Sequence, residues 1–299
     1  MPRYTLIKGE FHIFYRERPR GGPQPDGDTV SFKPDSPRLI EDLPWQGRPA
    51  DINSKGIIPI RLEGIDALET HFKGTHQQLD LADAARDWLL ARLGFTGVTF
   101  WDDLPNNVRT VNNSPLRGYI LANGLDSNGR VLAFVYAGES DTPNGTAVYL
   151  ELDWMLESLN TALIRSSLVY ATFYTSLPAD LLGPLRGVAA TARLSETKIW
   201  AAESLNTRVD LEVSTTSALE GLVIWPKLFR RLVDYLAGGN VGLAGFDDWL
   251  RVDSVHRDDR VLLPDGELGN IHDLISITPG NKIRLIFNPE DVVFLPDGA

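Results

Sequence analysis

Apolar and polar residues alternate over YTLIKGEFHIFYR (4–16) and again over TVSFK (29–33), which predicts two strands. The stretch RPRGGPQPDG between them is turn-forming. Residues 34–56 (PDSPRLIEDLPWQGRPADINSKG) are rich in proline and charge and read as a long loop, after which GIIPIRLEGI returns to strand character. The period then changes. In LDLADAARDWLLARLGF, Leu81, Ala85, Trp88, Leu89 and Leu93 share one helical face, with Gly94 as a stop and Thr75 and Gln78 as a capping box. VTFW (98–101), RGYILANG (117–124) and VLAFVYA (131–137) supply further strands. DWMLESLNTALIRSSL is predicted as a second helix, with Leu156, Leu159, Leu163 and Ser167 on a common stripe. A third runs from Pro178 to Ser195, with Pro178 at the first helical position and Pro184 expected to kink or restart it.

Past residue 206 the pattern shortens. STTSALEGLVIWPKLFRRLVDYLAGG reads as a capped helix interrupted at Pro226, with Arg230 and Arg231 on a solvent-exposed face. RVLLPDGELGNIHDLISITPGNKIRLIFNPEDVVFL reads as short strands with turns at Pro264–Gly266 and Pro279–Asn281. The expected organisation is a first domain over 1–206 and a small α+β domain over 207–299. His256, Asp258 and Asp259 are expected in a solvated loop, and Trp88, Trp154, Trp225 and Trp249 in cores. His71 and His76 are five residues apart, do not share a helical face and lack the partners of a zinc pattern.

Composition narrows the classes. The chain has no cysteine, so disulfides and thiolate metal sites are excluded. No apolar run approaches the roughly 20 residues of a membrane helix, and MPRYTLIKGEFHIFYRE does not read as a secretory leader, so a cytoplasmic location is expected. Lys and Arg number 29 against 40 Asp and Glu, a net charge of −11. Divided at residue 206, this is 20 − 25 = −5 and 9 − 15 = −6. Generic nucleic-acid binders are usually basic, but basic residues are bunched early, at Arg16, Arg18, Arg20, Lys33, Arg38, Arg48 and Lys55. Local potential rather than net charge governs the approach of phosphate.

Candidate chemistry lies in DGDTV (26–30), IRLEGIDALET (60–70) and DSNGR (126–130), which carry Asp28, Arg61, Asp66, Glu69 and Arg130 in that order. Three carboxylates with two arginines suit a metal-dependent phosphodiesterase. Two acids hold a hard cation, one handles a water proton, and two guanidinium groups grip phosphate. Each motif alone is weak, since Asp-Gly marks ordinary turns and Asp-x-x-Glu can cap a helix.

In order, these motifs resemble the staphylococcal nuclease (thermonuclease) family. DGDTV is similar to its metal-binding turn, RLEGIDALET to its Arg-x4-Asp-x2-Glu-Thr segment, and DSNGRVLAFVYA to its Asp-x-x-Gly-Arg strand entry. NTALIRSSL resembles its second helix, and KIW (198–200) the Ile-Trp after its third. The resemblance covers residues 1–203. It implies a five-stranded OB-type β-barrel with three helices, followed here by the small α+β C-terminal domain. It also implies Ca²⁺ held by Asp28, Asp66 and the Ala67 carbonyl, with Mg²⁺ as the other candidate ion. Glu69 is implied as the group that orients or deprotonates water, and Arg61 and Arg130 as the groups that neutralise the transition state. Phe173 and Tyr174 map onto the rings lining the nucleoside pocket. Ser127 and Asn128 stand where family members often have Lys-Tyr contacting a terminal phosphate. The expected activity is sequence-tolerant hydrolysis of DNA, or of RNA, leaving 3′-phosphate ends. The competing expectation is a non-catalytic OB-fold module that binds nucleic acid or protein. A regulatory partner or homo-oligomer acting through 207–299 is a further expectation.

Overall fold

The structure, a computed structural model, describes residues 4–45, 47–253 and 256–295; Gln46 of the long loop lies outside them. The chain is mixed α+β and divides into two compact units that interleave in sequence. The first comprises Met1–Glu63 and Ala84–Leu163, the second Gly64–Asp83 and Ile164–Ala299.

Five strands of the first unit close into a barrel: β1 (Tyr4–His12), β2 (Thr29–Pro34), β3 (Ile58–Leu62), β4 (Leu116–Leu125) and β5 (Val131–Ala137). The circuit runs β1–β2–β3–β5–β4 and back to β1, with Ala147–Val148 added beside the start of β1. Every pairing in the circuit is antiparallel except β3 with β5, where Ile60 pairs Val131 and Leu62 pairs Ala133. Period-2 alternation turns Ile58, Ile60 and Leu62 inward, with Leu6, Phe11, Phe32, Ile120 and Phe134 completing the core. Closure brings two strands close together at Gly9 and Gly118, which are register partners. A Cβ on Gly9 would lie 2.2 Å from the Lys33 carbonyl oxygen, and one on Gly118 would lie 2.3 Å from the Phe11 ring. Glycine removes both clashes, and the Phe11 and Phe32 rings pack 5.0 Å apart there.

Asn160 is a buried polar pin in this unit. Its Oδ1 accepts the Val135 amide at 3.0 Å, and its Nδ2 donates to the Glu63 and Ala133 carbonyls at 2.9 and 3.0 Å. Those bonds tie the residue after β3 to the β5 backbone, whose Ala133 carbonyl also accepts the Glu63 amide at 3.0 Å. The helix expected over 153–168 is two helices, Leu152–Glu157 and Leu159–Arg165, because Ser158 is extended and its hydroxyl binds the Thr161 amide at 3.2 Å. A serine hydroxyl competes in this way with helical backbone bonding.

The second unit holds three small sheets. Ile65–Asp66 pairs with Tyr170–Ala171. Phe173–Tyr174 lies parallel to Val293–Phe294, which continues through Arg260–Leu262 to Leu268–Asn270. Leu211–Glu212, Lys282–Leu285 and Ile275–Thr278 form the third. Three longer helices are named α1 (Leu79–Leu93), α2 (Ala179–Leu194) and α3 (Pro226–Ala237). The first begins in one unit and ends in the other.

Several local expectations are corrected. Ala82, Ala85, Leu89, Leu90 and Leu93 are the buried face of α1, while Leu81 and Trp88 are half-buried. Thr75 does not cap it: Thr75 exchanges backbone bonds with Phe72, and the Gln78 carbonyl accepts the first helical amide, from Ala82. Helix α2 passes through Pro184 without a break. Proline there removes a bond to Asp180, which lies exposed in the first turn, where water satisfies the carbonyl. Pro226 does not interrupt a helix but opens α3 at a position where no amide is needed. Only Trp225 among the four tryptophans is fully buried; Trp88, Trp154 and Trp249 are half-buried.

Candidate functional site

In the first unit, Asp28 ends the turn that enters β2. Thr29 is in register with Arg61, so the arginine reaches one residue across, and its Nη1 donates to Asp28 Oδ2 at 2.6 Å. The Thr29 hydroxyl donates to Oδ1 at 2.9 Å, and the Leu62 amide donates to the Asp28 carbonyl at 2.9 Å. Asp28 is only 4% exposed. The structure therefore joins the first acid of the motif set to its first arginine.

Arg130 ends the turn between β4 and β5. Asp126 organises that turn: Oδ1 accepts the Asn128 and Arg130 amides at 3.0 and 2.9 Å, and Oδ2 accepts Arg130 Nε at 2.7 Å. Asn128 is exposed at its crest. The 34–56 segment lies along this turn. The Asp51 amide donates to the Gly129 carbonyl and the Leu125 amide to the Pro44 carbonyl, each at 3.0 Å. Gly129 has φ +84°, and a Cβ there would sit 2.4 Å from the Pro49 carbonyl oxygen. The early basic residues are partly neutralised, Arg20 by Asp103 and Lys55 by Glu17.

In the second unit, Asp66 pairs with Tyr170 across a two-residue ladder and is 1% exposed. Ala67, beside it, is also buried. Glu69 is fixed through its backbone. Its carbonyl accepts the Gln77 amide at 2.9 Å, and its amide donates to Gln77 Oε1 at 3.1 Å. Gln77 is fully buried and donates onward to the Ile224 carbonyl at 2.7 Å.

Both carboxylates carry the same guanidinium. Arg230, on α3, donates from Nη2 to Asp66 Oδ2 at 3.0 Å and from Nη1 to Asp66 Oδ1 at 3.3 Å, and its Nη1 also donates to Glu69 Oε1. The expected solvent-exposed face is corrected at this point. Arg230 and Arg231 are half-buried, and Arg231 donates to Asp259 Oδ2 at 2.7 Å and to the Arg257 carbonyl at 2.8 Å. No protein-family model matches the chain, and no curated protein matches its sequence. The site is therefore read from its own geometry.

That geometry does not suit a bound cation as it stands. Among the described residues, no three His, Asp or Glu side chains gather so as to hold a metal ion. Asp28 is engaged by Arg61 and Asp66 by Arg230. With the Arg230 guanidinium on both of its oxygens, Asp66 in the second unit does not fit a bound cation in this arrangement.

The two aromatic candidates differ. Phe173 is fully buried in strand pairing, whereas stacking on a base needs an accessible ring face. Tyr174 is half-buried, packs 5.5 Å from the Phe294 ring, and accepts from Lys227 Nζ at 3.3 Å through its hydroxyl. His71 is exposed, and His76 bonds to Glu220 and to the Gln77 carbonyl.

Of the loop expected to be solvated, His256 is exposed, but Asp258 and Asp259 are not. Asp258 is buried and binds His272 Nδ1 at 2.5 Å, while Asp259 binds Lys227 Nζ at 2.8 Å. Burial opposes ionisation of the Asp259 carboxyl, but Lys227 and Arg231 outweigh it and hold its pKa below the ordinary value. Sequence reasoning also missed Glu63, a buried carboxylate that accepts from the Tyr4 hydroxyl at 3.0 Å. Burial, reinforced by Glu63, raises the Tyr4 pKa far above the phenolic range. The alternating pattern of β3 ends at Leu62, which is the one available hint that Glu63 turns inward.

Among the described residues, no helix is long and apolar enough to cross a membrane.

Proposed function

We propose that this chain is a sequence-tolerant phosphodiesterase of the staphylococcal nuclease type, acting on DNA and, as a second substrate class, on RNA. The observation that carries the reading is the Asp28–Arg61 pair, set in register across β2 and β3 of a closed five-stranded barrel. The strand order 1-2-3-5-4-1, parallel only between β3 and β5, supports an OB-type identity for that barrel. Folds of that type bind oligonucleotides on the β2–β3 face and its adjoining loops.

In this reading Arg61 and Arg130 supply paired N–H donors to the phosphoryl oxygens and balance the charge that grows during attack. Glu69 accepts a proton from the attacking water. The new bond forms between that oxygen and phosphorus as the bond to the 5′-oxygen breaks; the 5′-oxygen takes a proton from solvent and leaves as a hydroxyl, and a 3′-phosphate remains. Ca²⁺ is the expected activator.

A non-catalytic binding module is the second reading. It is favoured by one observation, the engagement of Asp66 and Glu69 by Arg230. Cleavage of single- and double-stranded DNA with Ca²⁺, with Mg²⁺ and with EDTA separates the two readings, with Glu69→Gln, Arg130→Ala and Arg230→Ala run alongside. The expected result is Ca²⁺-dependent cleavage that falls by about 10²–10⁴ in Glu69→Gln. DNA binding without cleavage under every metal, in the wild type and in Arg230→Ala, overturns the nuclease in favour of the module.

A further inference from the structure

We infer that Arg230 is an internal cation that keeps divalent metal off the Asp66–Glu69 acid pair, so that metal binding requires this side chain to swing away. The inference rests on the nuclease reading for the roles of the two acids, but its geometry lies wholly within the second unit.

Two backbone segments are held firmly, and one side chain joins them. On the acid side, Asp66 is locked by strand pairing with Tyr170, and Glu69 by its two bonds to Gln77. On the other side, α3 is anchored around Arg230. Lys227 binds Asp259 at 2.8 Å, Arg231 binds Asp259 at 2.7 Å, and Asp234 binds Lys73 at 2.5 Å. Leu228, Phe229, Leu232 and Val233 of the same helix are fully buried. The Ile224 carbonyl, two residues before α3, accepts from Gln77, so the anchoring reaches the acid segment itself. Arg230 thus projects from a fixed helix onto fixed carboxylates, and its own rotamer is the soft coordinate.

Hard-cation chemistry makes the two occupants exclusive. Calcium takes carboxylate oxygens at about 2.3–2.6 Å, through the same lone pairs that Arg230 uses on both Asp66 oxygens. A guanidinium and a divalent ion at one carboxylate also repel each other in a poorly screened setting. The affinity measured for the ion is then its intrinsic affinity multiplied by the small fraction of molecules whose arginine is displaced. Arg230 also donates to Glu69, the proposed proton acceptor, so one side chain occupies both acids.

Isothermal titration of Ca²⁺ into the full chain tests this, using the wild type, Arg230→Lys, Arg230→Ala and the Arg230→Ala/Asp66→Asn double variant. The expected order is weak binding in the wild type, an intermediate value for Arg230→Lys, and at least about tenfold tighter binding for Arg230→Ala. The double variant is expected to lose the gain. Equal affinity in wild type and Arg230→Ala, or a gain that survives Asp66→Asn, overturns the inference.

If Arg230→Ala is too unstable to titrate, its melting temperature should rise with Ca²⁺ by more than that of the wild type. An Arg230→Ala chain unfolded with and without Ca²⁺, together with wild-type affinity in Arg230→Lys, also overturns it. The nuclease reading fails separately. If Arg230→Ala gains Ca²⁺ yet cleaves no DNA, the exclusion by arginine stands and the enzymatic assignment falls.

Discussion

Asp28 and Asp66 are the same residue type at nearly the same depth, and each carries an arginine, yet the two units arrive at that arrangement differently. Asp28 in the barrel unit is met by Arg61, 33 residues away and one register step across the adjacent strand. Asp66 in the second unit is met by Arg230, 164 residues away on α3. The first pair is a consequence of strand alternation and turn position. The second depends on how α3 docks, which no local pattern encodes. The first arginine belongs to the motif set read for phosphate chemistry, while the second stands outside it and engages two of its members. A buried acid with an arginine on it is therefore not one kind of feature, since what matters is whether that arginine belongs to the same motif.

The comparison can be broken by removing each arginine. Arg230→Ala leaves the buried Asp66 charge without its guanidinium, and loses about 3–5 kcal/mol of stability in urea denaturation. Adding Asp66→Asn should recover part of that loss, because the charge that Arg230 balanced is then gone. Arg61→Ala should lose less, about 1–3 kcal/mol, since Asp28 keeps its bond from the Thr29 hydroxyl. Equal losses would mean that the two pairs are energetically alike despite their different construction.

A smaller effect sharpens the same contrast through pH. His12 lies at the end of β1, and burial, aided by Lys33 and opposed by Glu10, holds its pKa below the ordinary value. The unfolded chain then takes up a proton before the folded one does. Stability is full above about pH 6.5 and declines as pH falls from there through the folded pKa. Urea midpoints between pH 5 and 7.5 should show this slope in the wild type and a flatter one in His12→Gln. Lys73→Ala should have the least effect. Its ion pair with Asp234 is largely exposed on the lysine side, and its loss should change stability by less than about 1 kcal/mol. A larger loss would show that this pair, rather than the buried face of α3, positions Arg230.

Strand positions were legible because a barrel imposes period 2 on contiguous residues. TVSFKP and IPIRL carry that period, YTLIKGEFH carries most of it, and the apolar LRGYILANGL and VLAFVYA are buried on both sides over much of their length; all five are barrel strands. Helix breaks were less legible. Ser158 interrupts its helix through a hydroxyl bond to the Thr161 amide, and nothing in DWMLESLNT distinguishes it from a serine that points to solvent. Pro184 misled in the opposite sense, since its missing amide falls opposite an exposed first-turn carbonyl.

The site divides along the same line. Asp28, Arg61, Asp66, Glu69 and Arg130 stand out by spacing. Gln77, Arg230 and Asp259 acquire their partners only through tertiary packing, and short polar motifs do not report it. The −11 net charge was likewise a poor guide to local potential. The structure pairs Arg20 and Lys55 with acids, and Asp66 and Glu69 with a base.

The long sequence separation between Asp66 and Arg230 has a consequence in time as well as in space. Translation delivers about 5–20 residues per second, and 164 residues separate the acid from its arginine. Roughly 8–33 s therefore pass on the ribosome in which the acid pair has been made and its arginine has not. All five barrel strands end by Ala137 and are complete well before then. A nascent chain thus passes through a stage in which these acids exist before the guanidinium that engages them. The order of synthesis makes this pairing a late event that waits for α3.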